Sequence, residues 1–138
     1  MSELIRFGVS LPIGLLEKFD HHIQGSHYSN RSEAIRDLIR DDLVQREWQD
    51  GSEVAGAITV MYDHHQRGLL NKITSLQHDW QQVIICSQHV HLDHHHCLEI
   101  LAVKGPAKDV TRFAKRLKAV KGVKHATLSM SSTGHDIT

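Results

Sequence analysis

Residues 83–103 read VIICSQHVHLDHHHCLEILAV, two apolar runs on either side of a histidine-rich loop. Both runs are rich in β-branched side chains, and this composition predicts two strands joined as a hairpin. In such a hairpin His89 and His91 project from the same face of the first strand, because successive side chains alternate between faces. Cys97 opens the second strand beside them. Two imidazoles and one thiolate form a site for a borderline or soft divalent ion such as Ni(II), Cu(II), Co(II) or Zn(II).

The loop holds a concentration of histidine that the rest of the chain does not have. Five of the 13 histidines lie within eight consecutive positions. For His94, His95 and His96 two interpretations stay open, metal ligands or solvated residues of a surface loop. The paired spacing of His89 and His91, with a thiol in the next strand, favours a ligand set for those residues.

Composition limits the kinds of protein that this chain could be. Its 138 residues suffice for one ordinary domain or two very small ones, and the formal net charge of +0 gives no overall attraction to nucleic acid or membranes. No apolar run reaches the roughly 20 residues of a membrane span, and the first residues lack a signal-peptide pattern, so we expect a cytoplasmic protein without a membrane partner. The two cysteines are then expected to be thiols or ligands. Cys86 lies within an apolar run, where a small buried hydrophobe is expected.

The N-terminal third of the chain predicts one strand and two helices. Apolar residues alternate with polar or small ones over residues 5–11, which is the period of a half-buried strand. A helical apolar pattern follows and ends at Gly25. A second helix begins after Asn30, a good N-cap, with Glu33 at the capping-box position.

This strand-helix-helix unit cannot bury an adequate core alone, so its exposed strand is expected to pair with the same strand of a second chain. The segment Asn30-Arg31-Ser32-Glu33-Ala34-Ile35-Arg36-Asp37 resembles the ribbon-helix-helix DNA-binding family. That family places outward strand residues in the major groove and a helix start against a phosphate. The resemblance implies DNA contacts by Arg6, Gly8 and Ser10 on the strand and by Asn30, Arg31 and Ser32 at the helix start. Gly8 departs from the family pattern, because it offers no side chain to a base. A solvated amphipathic unit in some other dimer is the alternative.

A polar stretch that ends near Gly51 separates this unit from the rest, which predicts domains at residues 1–50 and 51–138. The second domain alternates in the order β-α-β-β-α-β, a ferredoxin-like split βαβ arrangement, so the predicted fold class is α+β. Asp63 is predicted to cap the first helix of this domain. The residues that this helix is predicted to bury are Leu69, Leu70, Ile73 and Leu76.

The chain as a whole resembles the nickel-responsive transcriptional regulator family. The family's ligand pattern is a histidine, ten residues, a His-x-His pair, five residues and a cysteine, and His78, His89, His91 and Cys97 reproduce both spacings. The resemblance implies an ACT-type C-terminal domain and a homotetramer built from two dimers. It also implies one Ni(II) per subunit, held in a square plane by three donors of one chain and His78 of a neighbour. Such a plane suits Ni(II) or Cu(II) and disfavours Zn(II).

The same resemblance implies roles for residues outside the ligand set. Glu99 matches a carboxylate that orients a metal ligand. Glu33 and Asp37 match a pair that binds a potassium-like cation between the domains when DNA is bound, although a capping residue and a solvated acid explain the same two residues. Arg67 matches a contact to the DNA backbone, and Gln66 stands beside it where the family commonly has a basic residue.

The function implied is that of a metal-responsive transcription regulator without catalytic activity. Nickel that bridges two subunits stabilises the arrangement in which both ribbons reach one double-stranded DNA operator, and the bound protein represses nickel uptake. Acid should weaken the response, because the ligands must lose their protons to bind the ion.

Other functions stay open as alternatives. A sensor of Cu, Co or Zn, or a metal buffer, would use the same donors. An enzyme with Cys97 as nucleophile and His89 or His91 as base is disfavoured, because no substrate motif is recognisable. An antitoxin of the ribbon-helix-helix kind would clamp its toxin with a disordered tail, whereas residues 53–132 predict an independently folded domain.

Overall fold

The structure, a computed structural model, describes residues 3–138, so the first two residues of the predicted domain 1–50 lie outside the described residues. The helices are α1 (Ile13–Gly25), α2 (Arg31–Asp50), α3 (Leu69–Asp79) and α4 (Ala107–Ala119). The strands are β1 (Glu53–Asp63), β2 (Ile84–His91), β3 (His96–Pro106) and β4 (Val123–Met130), and a short 3-10 turn, Gln81–Val83, precedes β2.

The four strands form one antiparallel sheet in the order β2-β3-β1-β4. Helices α3 and α4 each connect two strands that are not neighbours in this sheet. This is the split βαβ arrangement that the sequence predicts, and the α+β fold class is confirmed. The hairpin of β2 and β3 is confirmed as well, with the histidine-rich loop at its tip.

The core lies between one face of the sheet and the two helices that cross it. Helix α4 packs Val110, Phe113 and Leu117 against the sheet, and each of these side chains is fully buried. The Phe113 ring stacks on Trp80 at a centroid distance of 5.9 Å. Alternate residues of β1 and β3 face the helices, as the period of a strand requires. The sheet residues that complete this core include Val54, Ile58, Val60, Tyr62, Leu101 and Val103.

Helix α2 connects the N-terminal unit to this core. Asn30 caps it by accepting a hydrogen bond from the Glu33 N–H at 3.0 Å, and Gly51 ends it with a left-handed φ of 77°. Trp48 packs at the edge of the core, and its indole N–H donates to the Ser131 carbonyl at 2.8 Å. At 20 residues α2 is long but highly charged, and none of the helices in the described residues has the length and apolar character needed to cross a membrane.

Residues 3–12 precede α1 and form no strand ladder within the described part of one chain. Their alternate apolar side chains are open to solvent, with Ile5 83%, Phe7 73% and Val9 63% exposed. A two-stranded ribbon needs a second strand, and one chain offers this segment none. The strand at residues 5–11 therefore stays a prediction for the paired protein.

Asp63 does not cap a helix, and this expectation is wrong. Asp63 ends β1, and its carboxylate accepts a hydrogen bond from the His65 N–H at 2.9 Å to close a tight turn. Helix α3 begins only after Gly68, whose φ of 77° lies in the left-handed region that favours glycine. The short polar side chain of aspartate serves turns as well as helix starts, so the sequence pattern did not separate the two.

Two predictions of burial are also wrong. Leu70 is 45% exposed, because the face of α3 that packs on the sheet carries Leu69 and Ile73, and Leu70 lies beside that face. Cys86 is exposed, because β2 is an edge strand and its register shifts between Ile84 and Cys86.

Leu69 and Leu70 offer a matched pair for testing this core, because the same substitution can be made at adjacent residues of one helix. Leu69 is 1% exposed, and Leu69→Ala should lower the free energy of unfolding by about 2–5 kcal/mol through lost burial and the cavity left behind. Leu70→Ala should lower it by about 1 kcal/mol or less. Chemical denaturation at equal protein concentration measures both values, and equal losses would contradict the outward position of Leu70.

Candidate metal centre

The register of the central strands brings a thiol and an imidazole together. Cys97 lies opposite Tyr62 of β1 and His91 of β2, so the three side chains project from one face of the sheet. The Cys97 Sγ atom is 3.4 Å from His91 Nδ1. The thiol is fully buried, and burial raises the pKa of Cys97, with nearby carboxylates raising it further. Such a thiol becomes a metal ligand by releasing its proton as the ion binds.

His64 is a donor that the prediction from sequence missed. Its Nδ1 atom lies 3.1 Å from Cys97 Sγ, and its ring centroid is 5.4 Å from that of His91. Burial and then the neighbouring His65 lower the pKa of His64. The lowered pKa favours the neutral ring, which is the form that binds a metal ion.

The backbone explains how His64 reaches the thiol. The pairing of β1 with β3 extends to Asp63 opposite His96, and the next N–H, that of His64, donates to the His95 carbonyl at 3.1 Å. Two adjacent histidines, His64 and His65, at the end of a strand were the available sequence signal. Only the register of β1 against β3 shows that the first of them lies beside the thiol.

His89 lies on the same face of the sheet as His91 and Cys97. Its partner on β3 is Glu99, and its ring centroid is 5.2 Å from that of His91. Glu99 is buried and accepts hydrogen bonds from the Tyr62 hydroxyl at 3.3 Å and the Gln77 amide at 2.8 Å. Burial and the Glu99 charge raise the pKa of Tyr62, so its hydroxyl keeps the proton that it donates. The same hydroxyl is 3.5 Å from His89 Nδ1, which connects Glu99 to a predicted ligand.

His78 is not brought to this group within one chain. It lies exposed in the last turn of α3, whereas its neighbour Gln77 points inward to Glu99. Adjacent residues of a helix differ by about 100° in direction, so the two side chains cannot point the same way. The ligand atoms that do lie within 4.8 Å of one another here belong to His64, His91 and Cys97.

The donor types fit a borderline or soft divalent ion. A thiolate with neutral imidazoles suits Ni(II), Cu(II), Co(II) or Zn(II), whereas Mg(II) and Ca(II) prefer oxygen ligands. Three donors from one chain leave a four-coordinate site incomplete. A fourth ligand has to come from His89 or from outside the chain.

Asp93 shapes the loop between β2 and β3. Its carboxylate accepts hydrogen bonds from the N–H groups of His95 and His96, both at 2.8 Å, and lies 2.9 Å from His96 Nδ1. The side-chain bond with His96, followed by the two backbone bonds, lowers the pKa of Asp93. The loop therefore has an ordered network of its own immediately before Cys97, and His96 is engaged in that network.

The predicted DNA-contacting residues lie on three exposed segments. Those before α1 are Arg6, Gly8 and Ser10, and those at the start of α2 are Asn30, Arg31 and Ser32. The Asn30 side chain is engaged as the helix cap, and Arg31 forms a two-bond ion pair with Asp20 at 2.9 and 2.8 Å. Arg67 is exposed in the turn after β1, and the Gln66 amide packs against the turn before β4. A DNA contact by Arg31 would have to share or replace its bond to Asp20.

Glu33 and Asp37, the predicted cation pair, are brought together by α2. They line a cavity of about 280 Å³ with Tyr28, Arg36 and Arg40. Asp37 accepts a hydrogen bond from the Tyr28 hydroxyl at 2.8 Å, and Glu33 accepts one from the Ser29 N–H at 3.2 Å. Two guanidinium groups line the same cavity, so a cation there would meet positive as well as negative charge. Cation binding by this pair stays a prediction.

Comparison with known proteins agrees with both halves of the predicted fold. Residues 55–131 match a family model described as "NikR C terminal nickel binding domain", and residues 1–46 match "Ribbon-helix-helix protein, copG family". A Chlorobium phaeobacteroides protein named "Putative nickel-responsive regulator" is 58% identical, over 96% of this chain and 98% of its own. A protein of the same name from Chlorobium limicola is 57% identical, over 97% of this chain and 100% of its own.

A likeness to solved structures concerns the fold alone. An uncharacterised protein of Thermotoga maritima superposes with a TM-score of 0.50 at 12% sequence identity. The superposition covers 56% of this chain and 95% of that one. It supports the arrangement of strands and helices and says nothing of the donors around Cys97.

Cys97 and Cys86 form a matched pair of thiols, one among the donors and one exposed on the edge strand. Added Ni(II) should produce a thiolate-to-metal charge-transfer absorption in the natural chain and in Cys86→Ser, and Cys97→Ser should abolish it. An absorption titration measures the signal, and circular dichroism checks that each variant is folded. A signal that survives Cys97→Ser and vanishes in Cys86→Ser would place the metal at the edge strand instead.

Proposed function

Because this chain belongs to the family of nickel-responsive regulators, we propose that it is a nickel-responsive DNA-binding transcription regulator that represses nickel uptake when Ni(II) is bound. The observation that carries this proposal is a buried thiol, Cys97, in contact with the imidazoles of His64 and His91. The same chain begins with a match to a DNA-binding ribbon-helix-helix unit. The group around Cys97 would bind the metal ion, and the ribbon-helix-helix unit would bind DNA in response. Neither role requires catalysis.

We assign one Ni(II) per subunit to His89, His91 and Cys97 of one chain and His78 of a second copy. The three donors of one chain share a face of the β2-β3 hairpin, which supports their common role. His78 is exposed, in a position from which it can face a neighbouring subunit. Nickel bound in this way would link two subunits through coordination bonds. Glu99, through the tyrosine hydroxyl that it shares with His89, would hold that imidazole in orientation.

We extend the proposal to a homotetramer of two dimers, because the shared metal site needs one contact between copies and the pairing of ribbons needs another. Apolar surface that one chain leaves open supports it. The N-terminal segment exposes alternate apolar side chains, Phe7 among them, which ribbon pairing with a second copy would cover. The sheet face opposite α3 and α4 keeps Leu98 and Ile100 only half-buried, and Ile85 on the edge strand is 63% exposed. Two separate apolar surfaces permit two kinds of contact between copies.

Nickel would act by shifting a population of arrangements. A metal-bridged core holds the two ribbon pairs at one separation, which matches half-sites spaced along a DNA operator. The free energy by which nickel shifts this equilibrium can be no larger than the difference in nickel-binding free energy between the arrangements. By the same linkage, operator binding should raise the affinity for nickel by the factor with which nickel raises the affinity for DNA.

The DNA contacts divide between base reading and phosphate binding. Arg6 and Ser10 would enter the major groove, with a gap at Gly8, because all three lie on the exposed segment before α1. The free N–H groups at the start of α2, next to Asn30, would hold a phosphate. Arg67 would add a backbone contact from the turn after β1.

The remaining expectations belong to the same proposal. Residues 1–50 would bind DNA and residues 51–138 would bind metal and hold the tetramer together. Glu33 and Asp37 would bind a potassium-like cation when DNA is present. The protein would work in the cytoplasm, where the operator is.

A sensor of another ion, above all Zn(II), is the second candidate, and one observation favours it. His64, His91 and Cys97 offer two nitrogens and a sulfur within one chain, and a tetrahedral Zn(II) site could add a single further ligand to them. The nickel assignment instead needs a neighbour's His78. Operator binding measured with Ni(II), Cu(II), Co(II) and Zn(II) in turn separates the two candidates.

Operator binding should depend both on Ni(II) and on the predicted reading strand. Selection from a random DNA library with Ni(II) yields a target, and a gel-shift titration measures its dissociation constant with and without the ion. Arg6→Ala should weaken specific binding by about 1–3 kcal/mol, roughly 5- to 150-fold, because a base contact is lost. Arg46→Ala is the control, since Arg46 pairs with Asp42 away from the predicted contacts and its loss should have little effect. A dissociation constant that does not change with Ni(II), or an equal loss of DNA affinity in both variants, would contradict the proposal.

Mixed tetramers test whether the metal site is shared between subunits. His78→Ala chains lack the donor given to a neighbour, and Cys97→Ala chains lack the thiolate. Neither variant alone should bind Ni(II) tightly, but a mixture should recover part of the tight binding and of the thiolate absorption. Equilibrium dialysis with Ni(II) after verified subunit exchange measures this recovery. If exchange is complete and nothing is recovered, each chain binds its metal alone.

A further inference from the structure

The positive charge of this chain is concentrated outside the predicted DNA-binding unit. Residues 1–50 contain six lysine or arginine residues against nine aspartate or glutamate residues. Residues 107–124, which run from α4 into the start of β4, contain seven of the 16 lysine and arginine residues and one acidic residue. A protein that binds DNA needs cations to replace the counterions of the phosphates. The N-terminal unit has a formal net negative charge, so part of that attraction has to come from elsewhere.

Half of the cations in the N-terminal unit are also paired with carboxylates of the same unit. The pairs are Arg31 with Asp20, Arg40 with Asp37 and Arg46 with Asp42, at 2.8, 3.5 and 2.7 Å. The lysines and arginines of α4 form no salt bridge within residues 3–138, the described part of the chain. A phosphate that approaches α4 therefore meets cations for which no carboxylate of the chain competes.

Helix α4 directs its cations away from the core. Its opposite side holds Val110, Phe113 and Leu117, which are fully buried. The cations that lie in the middle and at the end of the segment form one exposed surface, the basic face, which consists of Arg112, Lys115, Arg116, Lys118 and Lys121. The other two cations contact the end of α2 and the histidine-rich loop. The helical members of the basic face span about 9 Å along the axis, near the Debye length of about 8 Å, so they act together on one stretch of phosphates.

The basic face continues into a residue that is already a predicted DNA contact. The Gln66 side chain lies against Gly122, which joins the turn after β1 to the turn after α4. Arg67 and Lys121 are the exposed neighbours of these two residues, so they stand on adjoining turns. A duplex whose backbone meets Arg67 would therefore also lie near the C-terminal end of α4.

We propose that the basic face of α4 binds phosphates of the operator DNA and supplies positive charge that the N-terminal unit lacks. This inference rests on the proposed binding of an operator. Phosphate contacts carry no sequence information, so the basic face strengthens binding to any duplex and leaves base reading to the ribbon. An anionic membrane fits this surface less well, because the apolar side of α4 is packed into the core and cannot enter lipid.

The dependence of DNA affinity on salt tests the basic face directly. Each lost phosphate contact lowers the steepness of log affinity against log salt by about 0.9, so Lys118→Gln with Lys121→Gln should lower it by about two. The same double variant should weaken binding to the operator and to an unrelated duplex by equal factors. Fluorescence anisotropy with Ni(II) at about 50 to 200 mM salt measures these affinities. The matched control is Arg46→Gln with Lys104→Gln, which removes two exposed cations outside the basic face and should leave the steepness unchanged.

The possible results separate this inference from the proposed function. Nickel-dependent operator binding in which the double variant keeps the natural salt dependence overturns the basic face alone. Absence of operator binding by the natural chain overturns the proposed function and this inference with it. An equal loss in the control, or a loss confined to the operator, also overturns phosphate binding by α4. Anionic lipid vesicles that bind the natural chain but not the double variant, without a change in DNA affinity, would assign the face to a membrane. Circular dichroism and the thiolate absorption with Ni(II) check that both variants are folded.

Discussion

The pairing of three strands at the level of Cys97 is the constraint on which the rest of the structure depends. Side chains opposite one another share a face, so Tyr62, Cys97 and His91 converge on the side covered by α3 and α4. A slip of β3 by one residue would turn Cys97 to the open face and bring Leu98 inward. It would also separate Glu99 from the Tyr62 hydroxyl. Core packing and the grouping of metal donors are therefore set by the same register.

Burial gives this thiol two consequences that work together. It raises the pKa of Cys97, so the metal-free chain keeps a neutral sulfur in its core at little electrostatic cost. It also excludes water that would otherwise compete for the sulfur once an ion has displaced the proton. Burial lowers the pKa of His64, which favours the neutral form of the ring beside the sulfur. Because binding releases a proton from the thiol, the affinity for metal should fall as the pH falls.

One chain is incomplete in two ways that a second copy would remedy. The alternate apolar residues before α1, such as Ile5 at 83% exposure, have no strand to cover them. The proposed nickel site on His89, His91 and Cys97 lacks its fourth ligand within one chain, while His78 is exposed in the last turn of α3. Assembly would bury the first surface and complete the second site, which is a physical basis for metal and DNA to influence one another.

The sequence by itself determined the order of elements, the hairpin around the histidine-rich loop and the Asn30 cap, because each depends on residues a few positions apart. The i, i+2 spacing of His89 and His91 likewise placed both imidazoles on the side of Cys97. Only the tertiary structure showed that His64, 33 residues before Cys97, lies beside its sulfur, because β1 and β3 meet through a register that no local pattern specifies. The exposure of Cys86 was decided in the same way. An apolar run predicts a strand, but whether a side chain is covered depends on the strand's place at the edge of the sheet and on which elements pack over it.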